Sequence, residues 1–393
     1  MINYRIEIFG GIVIKSSNKK LLTVAVIVFV ILIIGMVWWS FLANRPGASP
    51  QIEPLVPATP DNKSTGDVPL AASVAKNLDT PWALDFLPDG SIIFTERDGR
   101  IRLIDAREGL LVNPLLTIDE VAPTGEGGLL GIAVHPDFSQ NPFIYVYYTY
   151  QNGSGLANKA VRFRMQDRSL LDEKLIIDSI PAASIHDGGR VKFGPDGLLY
   201  ITTGDAAASN SAQDKNSLAG KILRLNDNGT IPETNPFPGS PVFSFGHRNP
   251  QGLAWDDKGR LWATEHGSQA YDELNLIEAG KNYGWPDIRG DEKAQGLVSP
   301  VLHSGTDTWA PSGIAYFNGS LFFTGLRGQS LFEVIIGEKP NLRRHLDRDF
   351  GRLRDVVVGP DNFLYILTSN RDGRGVPAGD DDRIIRINPG KLE

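Results

Sequence analysis

The 393-residue chain contains no cysteine, only three methionines and only six histidines. Without cysteine there can be no disulfide, thiolate metal site, iron–sulfur cluster, haem thioether or cysteine nucleophile. Excess positive charge is also lacking. Lys and Arg number 39 against 46 Asp and Glu, a net charge of −7, whereas a general nucleic-acid binder carries a basic footprint. After residue 70 no stretch sustains the apolar period of about 3.6 residues that several helical turns would need, which excludes helical repeats and bundles. Turn formers are plentiful, with 42 glycines and 26 prolines. With 41% hydrophobic and 22% charged residues, the composition is that of a folded, turn-rich chain, not a disordered one.

Residues 21–43, LLTVAVIVFVILIIGMVWWSFLA, carry no charge. About 20 helical residues cross the hydrocarbon core of a bilayer, so this run predicts a single transmembrane helix. Trp38 and Trp39 stand near its end, where interfacial aromatics are favoured. Arg5, Lys15, Lys19 and Lys20 precede the run and only Arg45 soon follows it. The positive-inside rule then leaves residues 1–20 in the cytoplasm and puts the remainder outside, on the periplasmic side or at the cell surface. A cleaved signal peptide fits less well, because the run exceeds a signal core of about 7–15 residues. Residues 44–70, rich in Pro with Ser, Thr and Asp, predict an extended tether.

From residue 71 to the end, one pattern recurs six times: an apolar stretch, a tight turn, and an aromatic-rich strand ending in Thr. The copies are LDFLPDGSIIFTE, IAVHPDF with NPFIYVYYT, VKFGPDGLLYITTGD, LAWDDKGRLWATE, IAYFNGSLFFTG and VVVGPDNFLYILTS. Each reads as a β-hairpin, with Gly90, Gly197, Gly259, Gly319 or Asn362 at the turn. The mean period is about 54 residues, which fits propeller blades of four short strands. The expected fold is all-β: a six-bladed β-propeller over 71–393, with its functional site at the central channel. The loop 266–312 is expected on a face of the ring.

Several constellations could carry chemistry. His186, in SIHDGGRVKFGPDG, sits on a loop before a strand and is either a turn histidine or a general base. Asp205 ends the next strand, either as a capping carboxylate or as one that orients and charges His186. In GHRNPQG, Arg248 and Asn249 could hold a planar oxygen-rich group, or form a turn with Arg248 paired to an Asp. Residues 264–287 bring Glu265, Asp272 and Glu273 close together around Gly267 and Ser268, an oxygen-rich loop suited to Ca²⁺ but without EF-hand spacing. Arg352 and Arg354, two apart at a strand start, share a face, with Arg327 in the preceding blade. They would suit a ligand with several carboxylates, or else form a solvated surface.

Taken together, EGGLLGIAVHPDF, HDGGRVKFGPDG, GHRNPQGLAW, DELNLIEAGKNYGWP and GRLRDVVVGPD resemble the soluble aldose sugar dehydrogenases that use pyrroloquinoline quinone (PQQ), the glucose/sorbosone dehydrogenase family. The resemblance covers residues 71–390 and implies a six-bladed propeller that oxidises aldoses at the anomeric carbon to the lactone. It implies His186 as the base, with hydride passing to the quinone, and Asp205 as its supporting carboxylate. Arg248 and Asn249 match quinone-contacting positions, and Thr308, Arg327, Arg352 and Arg354 match positions that bind the PQQ carboxylates. Gly267 and Ser268 would offer carbonyls to a Ca²⁺ on the quinone. Glu273 and the Tyr283 carbonyl match a further calcium site. Glu126 stands near the cofactor where glucose-type members carry Gln, and Ile185 precedes the histidine where they carry an acid. A preference for other or broader aldoses follows. The electron acceptor would be a membrane quinone or a cytochrome. A chain without thiols suits an enzyme that keeps an electrophilic ortho-quinone. The other functions open to such a propeller are a calcium-dependent lactonase and a non-catalytic binder of glycans or proteins.

Overall fold

The computed structural model describes residues 4–8, 12–16, 68–153 and 155–392. Tyr4–Ile8 and Ile12–Ser16 pair as an antiparallel hairpin. The expected membrane helix over 21–43 and the tether as far as residue 67 lie outside the described residues. Among the described residues, no helix is long and apolar enough to cross a membrane.

Residues 68–392 form a six-bladed β-propeller, and each predicted hairpin supplies the first two strands of one blade. These strand pairs are Pro81–Phe86 with Ile92–Glu96, Leu129–Val134 with Phe143–Asn152, and Val191–Phe193 with Leu199–Thr203. Blades 4 to 6 repeat them in Pro250–Trp255 with Leu261–Glu265, Pro311–Phe317 with Ser320–Gly325, and Leu353–Val358 with Leu364–Thr368. The turn residues Gly90, Gly197, Gly259, Gly319 and Asn362 have φ between 61° and 87°, a region that Gly enters freely and Asn tolerates. No α-helix is present among the described residues.

The first strands of blades 4, 5, 6, 1, 2 and 3 follow one another around a central axis, each packed on its neighbour. The ring is closed by Ala71–Ala75, the earliest strand of the propeller, which pairs antiparallel with Ile384–Ile387 to complete blade 6. The closing strand covers the edge that Ile384–Ile387 would otherwise expose, and radial repetition leaves the blades only short edges. The stretch expected as a face loop does more than that. Within 266–312, Glu273–Ile277 and Leu302–His303 are the outer strands of blade 4. The long connection between them, and the two-residue length of Leu302–His303, hide this pairing in the sequence.

Two features of the repeat draw the blades together. The threonines that end the second strands are fully buried. The Thr95 hydroxyl donates to the Leu130 carbonyl of blade 2, and that of Thr264 to the Ser312 carbonyl of blade 5. Glycine permits close approach between first strands: a Cβ on Gly313 would lie 1.9 Å from Asp355 Oδ1 and 2.8 Å from its Cα in blade 6. Gly313→Ala is therefore expected to destabilise the ring by about 1–3 kcal/mol through overpacking, read from the urea midpoint at unchanged slope.

Candidate active site

The site lies where strand ends and loops of several blades meet. The loop before blade 3 lies against the end of that blade's second strand, so closely that a Cβ on Gly204 would meet the His186 carbonyl at 1.8 Å. This contact sets the two residues face to face: His186 Nδ1 lies 2.8 Å from Asp205 Oδ1. Asp205 is buried, and its Oδ2 accepts from Trp285 Nε1 at 2.8 Å. A carboxylate can only accept, so Nδ1 carries the proton in the neutral ring and Nε2 keeps the basic lone pair. His186 is held in a left-handed conformation (φ 64°), and its N–H donates to Glu126 Oε2 at 3.0 Å. Arg374 Nη1 donates to the other Glu126 oxygen at 2.8 Å. Burial opposes ionisation of Glu126, but the His186 N–H and the nearby His266 and Arg374 outweigh it and bring the carboxyl down to about 2.

The GHRNP turn forms the floor. His247 is fully buried, bridging Ser244 and Glu265 at 2.8 Å each and stacking on Tyr283. Arg248 does not pair with an Asp. Its main-chain N–H donates to Glu265, its guanidinium donates to the His266 carbonyl at 3.2 Å, and it lies over the Trp285 ring. Asn249 is fully buried, with Oδ1 accepting from the Gly188 N–H at 3.0 Å.

Two neighbouring clefts open here. One, of about 290 Å³, is lined by Glu126, Asp187, Gly188, Gln251, Arg354 and Arg374 among others. The second, of about 270 Å³, is lined by Arg248, Glu265, Gly267, Ser268, Glu273 and Tyr283 among others. His266 borders both. In the first cleft Arg354 Nη1 donates to Gln251 Oε1 at 2.8 Å, and burial pushes the guanidinium down to about 9 against the pull of Asp372. Arg352 pairs with the same Asp372 at 2.8 Å, so the two arginines do share a face. Arg97 also lies within electrostatic reach of Asp372 and Glu126. Four guanidiniums (Arg97, Arg352, Arg354 and Arg374) face three carboxylates (Glu126, Asp187 and Asp372), which leaves a surplus of positive charge. In the second cleft, burial together with the charge of Glu265 pushes the Glu273 carboxyl up to about 8. Asp272 ties the loops together by accepting from the N–H groups of Gly267, Trp309 and Ala310 and from the Thr308 hydroxyl. The Thr308 hydroxyl is thus committed to Asp272. Arg327 is exposed, while its neighbour Leu326 lines the first cleft.

Nine buried side-chain N and O atoms among the described residues lack a partner. Seven gather in or under this site: Arg97 Nε, Asp187 Oδ2, Arg190 Nη2, Arg248 Nε, Asn249 Nδ2, His266 Nε2 and Arg354 Nε. Unpartnered buried polar groups are costly, and their concentration at one place marks a site shaped for a polar ligand.

Sequence reasoning overlooked Arg97, Asp187, Gln251, His266, Trp285, Asp372 and Arg374. His266 and Trp285 lie inside motifs that were already conspicuous, TEHGS and NYGWP. Asp187 and Gln251 likewise lie inside HDGGR and GHRNPQG, while Arg97, Asp372 and Arg374 had no local mark.

Residues 78–384 match the family model described as glucose/sorbosone dehydrogenase. A PQQ-bound aldose sugar dehydrogenase from Streptomyces coelicolor superposes with a TM-score of 0.77 at 41% identity, covering 81% of this chain and 96% of that one. The aldose sugar dehydrogenase of Escherichia coli is 35% identical over 332 residues, 75% of this chain and 89% of its own length. The quinoprotein glucose dehydrogenase B of Acinetobacter calcoaceticus is 36% identical over 258 residues, 57% of this chain and 54% of its own length.

Proposed function

The chain belongs to the glucose/sorbosone dehydrogenase family and is an oxidoreductase, and on that premise we propose that it oxidises aldoses at the anomeric carbon to the lactone, using PQQ and calcium. The observation that carries this reading is the union, in one site, of the His186–Asp205 pair with a positively charged cleft rich in unpartnered polar atoms.

The residues present fit both groups. A tricarboxylic quinone matches the surplus guanidinium charge of Arg352 and Arg354 and the unpartnered donors of Arg248, Asn249 and Arg354. Gly267 and Ser268 line the second cleft and can turn carbonyls to a cation, and Glu273 with the Tyr283 carbonyl offers a further position. There the crowding of Glu273 against Glu265 is a repulsion that a divalent ion would relieve. When bound, the quinone accepts the two electrons and the C1 hydrogen, and calcium polarises it as a Lewis acid.

The protein's own part is to hold the sugar and move the proton. His186 Nε2 takes the proton of the anomeric hydroxyl, and Asp205 stabilises the imidazolium and fixes the ring's tautomer. Trp285 is a positioning residue that keeps the second Asp205 oxygen in place. Glu126 anchors the backbone of His186. Ile185, beside the base, offers no hydrogen bond to a sugar hydroxyl, which supports a broad aldose preference over glucose alone. Among the described residues no three His, Cys, Asp or Glu side chains converge on one point, which leaves the lactonase reading without a side-chain calcium cage.

Dye-linked oxidation of a panel of aldoses by the full chain, reconstituted with PQQ and Ca²⁺, tests the reading. No turnover of any aldose, with no quinone absorbance retained, would overturn it. Calcium at a hundred times its Kd should stabilise the protein by about 2.7 kcal/mol. Glu273→Gln should shrink that gain in thermal melts, and an unshifted wild-type melting curve would remove calcium from the scheme. The uncharged run 21–43 supports attachment to a membrane, with electrons passing to a membrane quinone or a cytochrome. Recovery of the full chain in the soluble fraction after cell lysis would count against attachment.

A further inference from the structure

Asp187 follows the proposed base directly, yet the reaction outlined above does not use it. The residue is only 2% exposed. Oδ1 accepts from Asn158 Nδ2 at 3.2 Å and from the Ala183 N–H at 3.3 Å. Its backbone carbonyl accepts from the Tyr147 hydroxyl at 3.0 Å, which fixes this part of the loop. Oδ2 is buried, has no partner, and belongs to a residue lining the first cleft beside Gly188, Gln251 and Arg354. A buried carboxylate oxygen without a donor is unfavourable, and the ionised Glu126 nearby makes it more so. If the group is protonated, its hydrogen bonds decide where the proton sits. Oδ1 faces two N–H donors and must be the acceptor oxygen, so the proton belongs to Oδ2, whose O–H has no partner within the protein.

Resting on the cofactor reading above, we propose that Asp187 binds the anionic quinone as a neutral carboxylic acid, donating from Oδ2 to a cofactor oxygen. Cofactor binding is thereby coupled to the uptake of one proton. The charged and titratable groups facing Asp187 are Glu126, Tyr147, His186, His266, Arg354 and Arg374; burial and the Asp187 charge hold the Tyr147 hydroxyl protonated throughout. Burial and Glu126 raise its carboxyl, while Asn158, the Ala183 N–H and His186 lower it, and the balance stands at about 6. At neutral pH the free protein therefore holds Asp187 mostly ionised and must take up a proton to bind.

The experiment is equilibrium titration of the metal-saturated full chain with PQQ, followed by quinone absorbance between pH 5 and 8.5. Carboxylates of ordinary pKa, including those of the cofactor, stay ionised over most of this range. Wild-type affinity should be flat at the acid end and then weaken about tenfold for each pH unit above about 6. Asp187→Asn keeps a donor at the same place without a titrating group. It should bind with nearly the wild-type acid-limit affinity at every pH. Calorimetry of the wild type at pH 7.5 in two buffers of different ionisation enthalpy should count close to one proton taken up, a readout that needs no variant. A pH-independent wild type, a tenfold slope kept by Asp187→Asn, loss of binding in that variant at every pH, or zero proton uptake would each overturn the inference while leaving the cofactor reading intact. Failure of the wild type to bind PQQ at any pH would overturn both.

Discussion

Replacing His186 with alanine is expected to lower kcat for aldose oxidation by about 10²–10⁴-fold, the usual contribution of a positioned general base. KM and cofactor affinity should change far less. The imidazole takes a proton only as the reaction proceeds, so its loss falls on the transition state. The fold around it should survive, because the contact that anchors this loop uses the His186 main-chain N–H to Glu126, which alanine keeps. The variant also leaves Asp205 with its Trp285 and Ala207 donors, so the carboxylate is not stranded. Asp205→Asn acts differently. It keeps the side-chain shape but removes the charge that stabilises the imidazolium, so kcat should fall with the ring still present. Steady-state rates on one aldose, paired with quinone absorbance of the same preparations, separate lost chemistry from lost cofactor. A His186→Ala enzyme with wild-type kcat would remove this residue from the role of base.

The second large effect is expected at Arg354. Arg354→Ala should weaken PQQ binding by about 2–5 kcal/mol, a loss of some thirtyfold to several thousandfold in Kd. Its guanidinium is buried, lies over the Trp82 ring, has Gln251 as a close partner, and meets Asp372 only at 4.0 Å. Arg352 holds the same carboxylate at 2.8 Å, so Asp372 cannot neutralise both. The free protein therefore contains a desolvated, half-compensated cation. Burial lowers its folded pKa to about 9 from an ordinary value near 12.5, so between these values the unfolded chain binds more protons and stability rises with pH. Below about 9 the full penalty is present. Removing the guanidinium should thus leave the cofactor-free protein as stable as the wild type at pH 7, or more stable, even as affinity collapses. Thermal melts of the free proteins and absorbance titrations with PQQ test both halves. Equal affinity in the variant would place the ligand carboxylates elsewhere.

Legibility differed between fold and site. Six hairpins could be read because each is local. A turn residue with positive φ and an alternating apolar pattern lie within about a dozen residues of each other, and the pleat makes that pattern visible. His186 and Asp205 were legible for the same reason: 19 residues separate them, and both flank one hairpin. Arg352 and Arg354 carried the two-residue spacing of one strand face. By contrast, Glu126 and Arg374 are 248 residues apart, Arg190 and Asp355 are 165 apart, and Asp205 and Trp285 are 80 apart. No periodicity links such pairs, because they meet only when the ring closes. The outer strands of blade 4 escaped notice because no tight turn joins them: residues 278–301 lie between Glu273–Ile277 and Leu302–His303, and the latter has only two residues.

The linear chain thus carried the local features: no thiol chemistry, no helical repeat after residue 70, six copies of one hairpin turn, and His186 and Asp205 as a candidate pair flanking one hairpin. It also supplied the motifs that mark the family. Ring closure by Ala71–Ala75 then brought strand ends from different blades to one axis. That convergence created the crowding of four arginines around Glu126, Asp187 and Asp372, the Glu126 anchor on the His186 backbone, and the unpartnered oxygen of Asp187. Such properties arise from desolvation and from proximity in space. A sequence records which residues are neighbours along the chain; burial and long-range contact exist only once the chain has closed on itself.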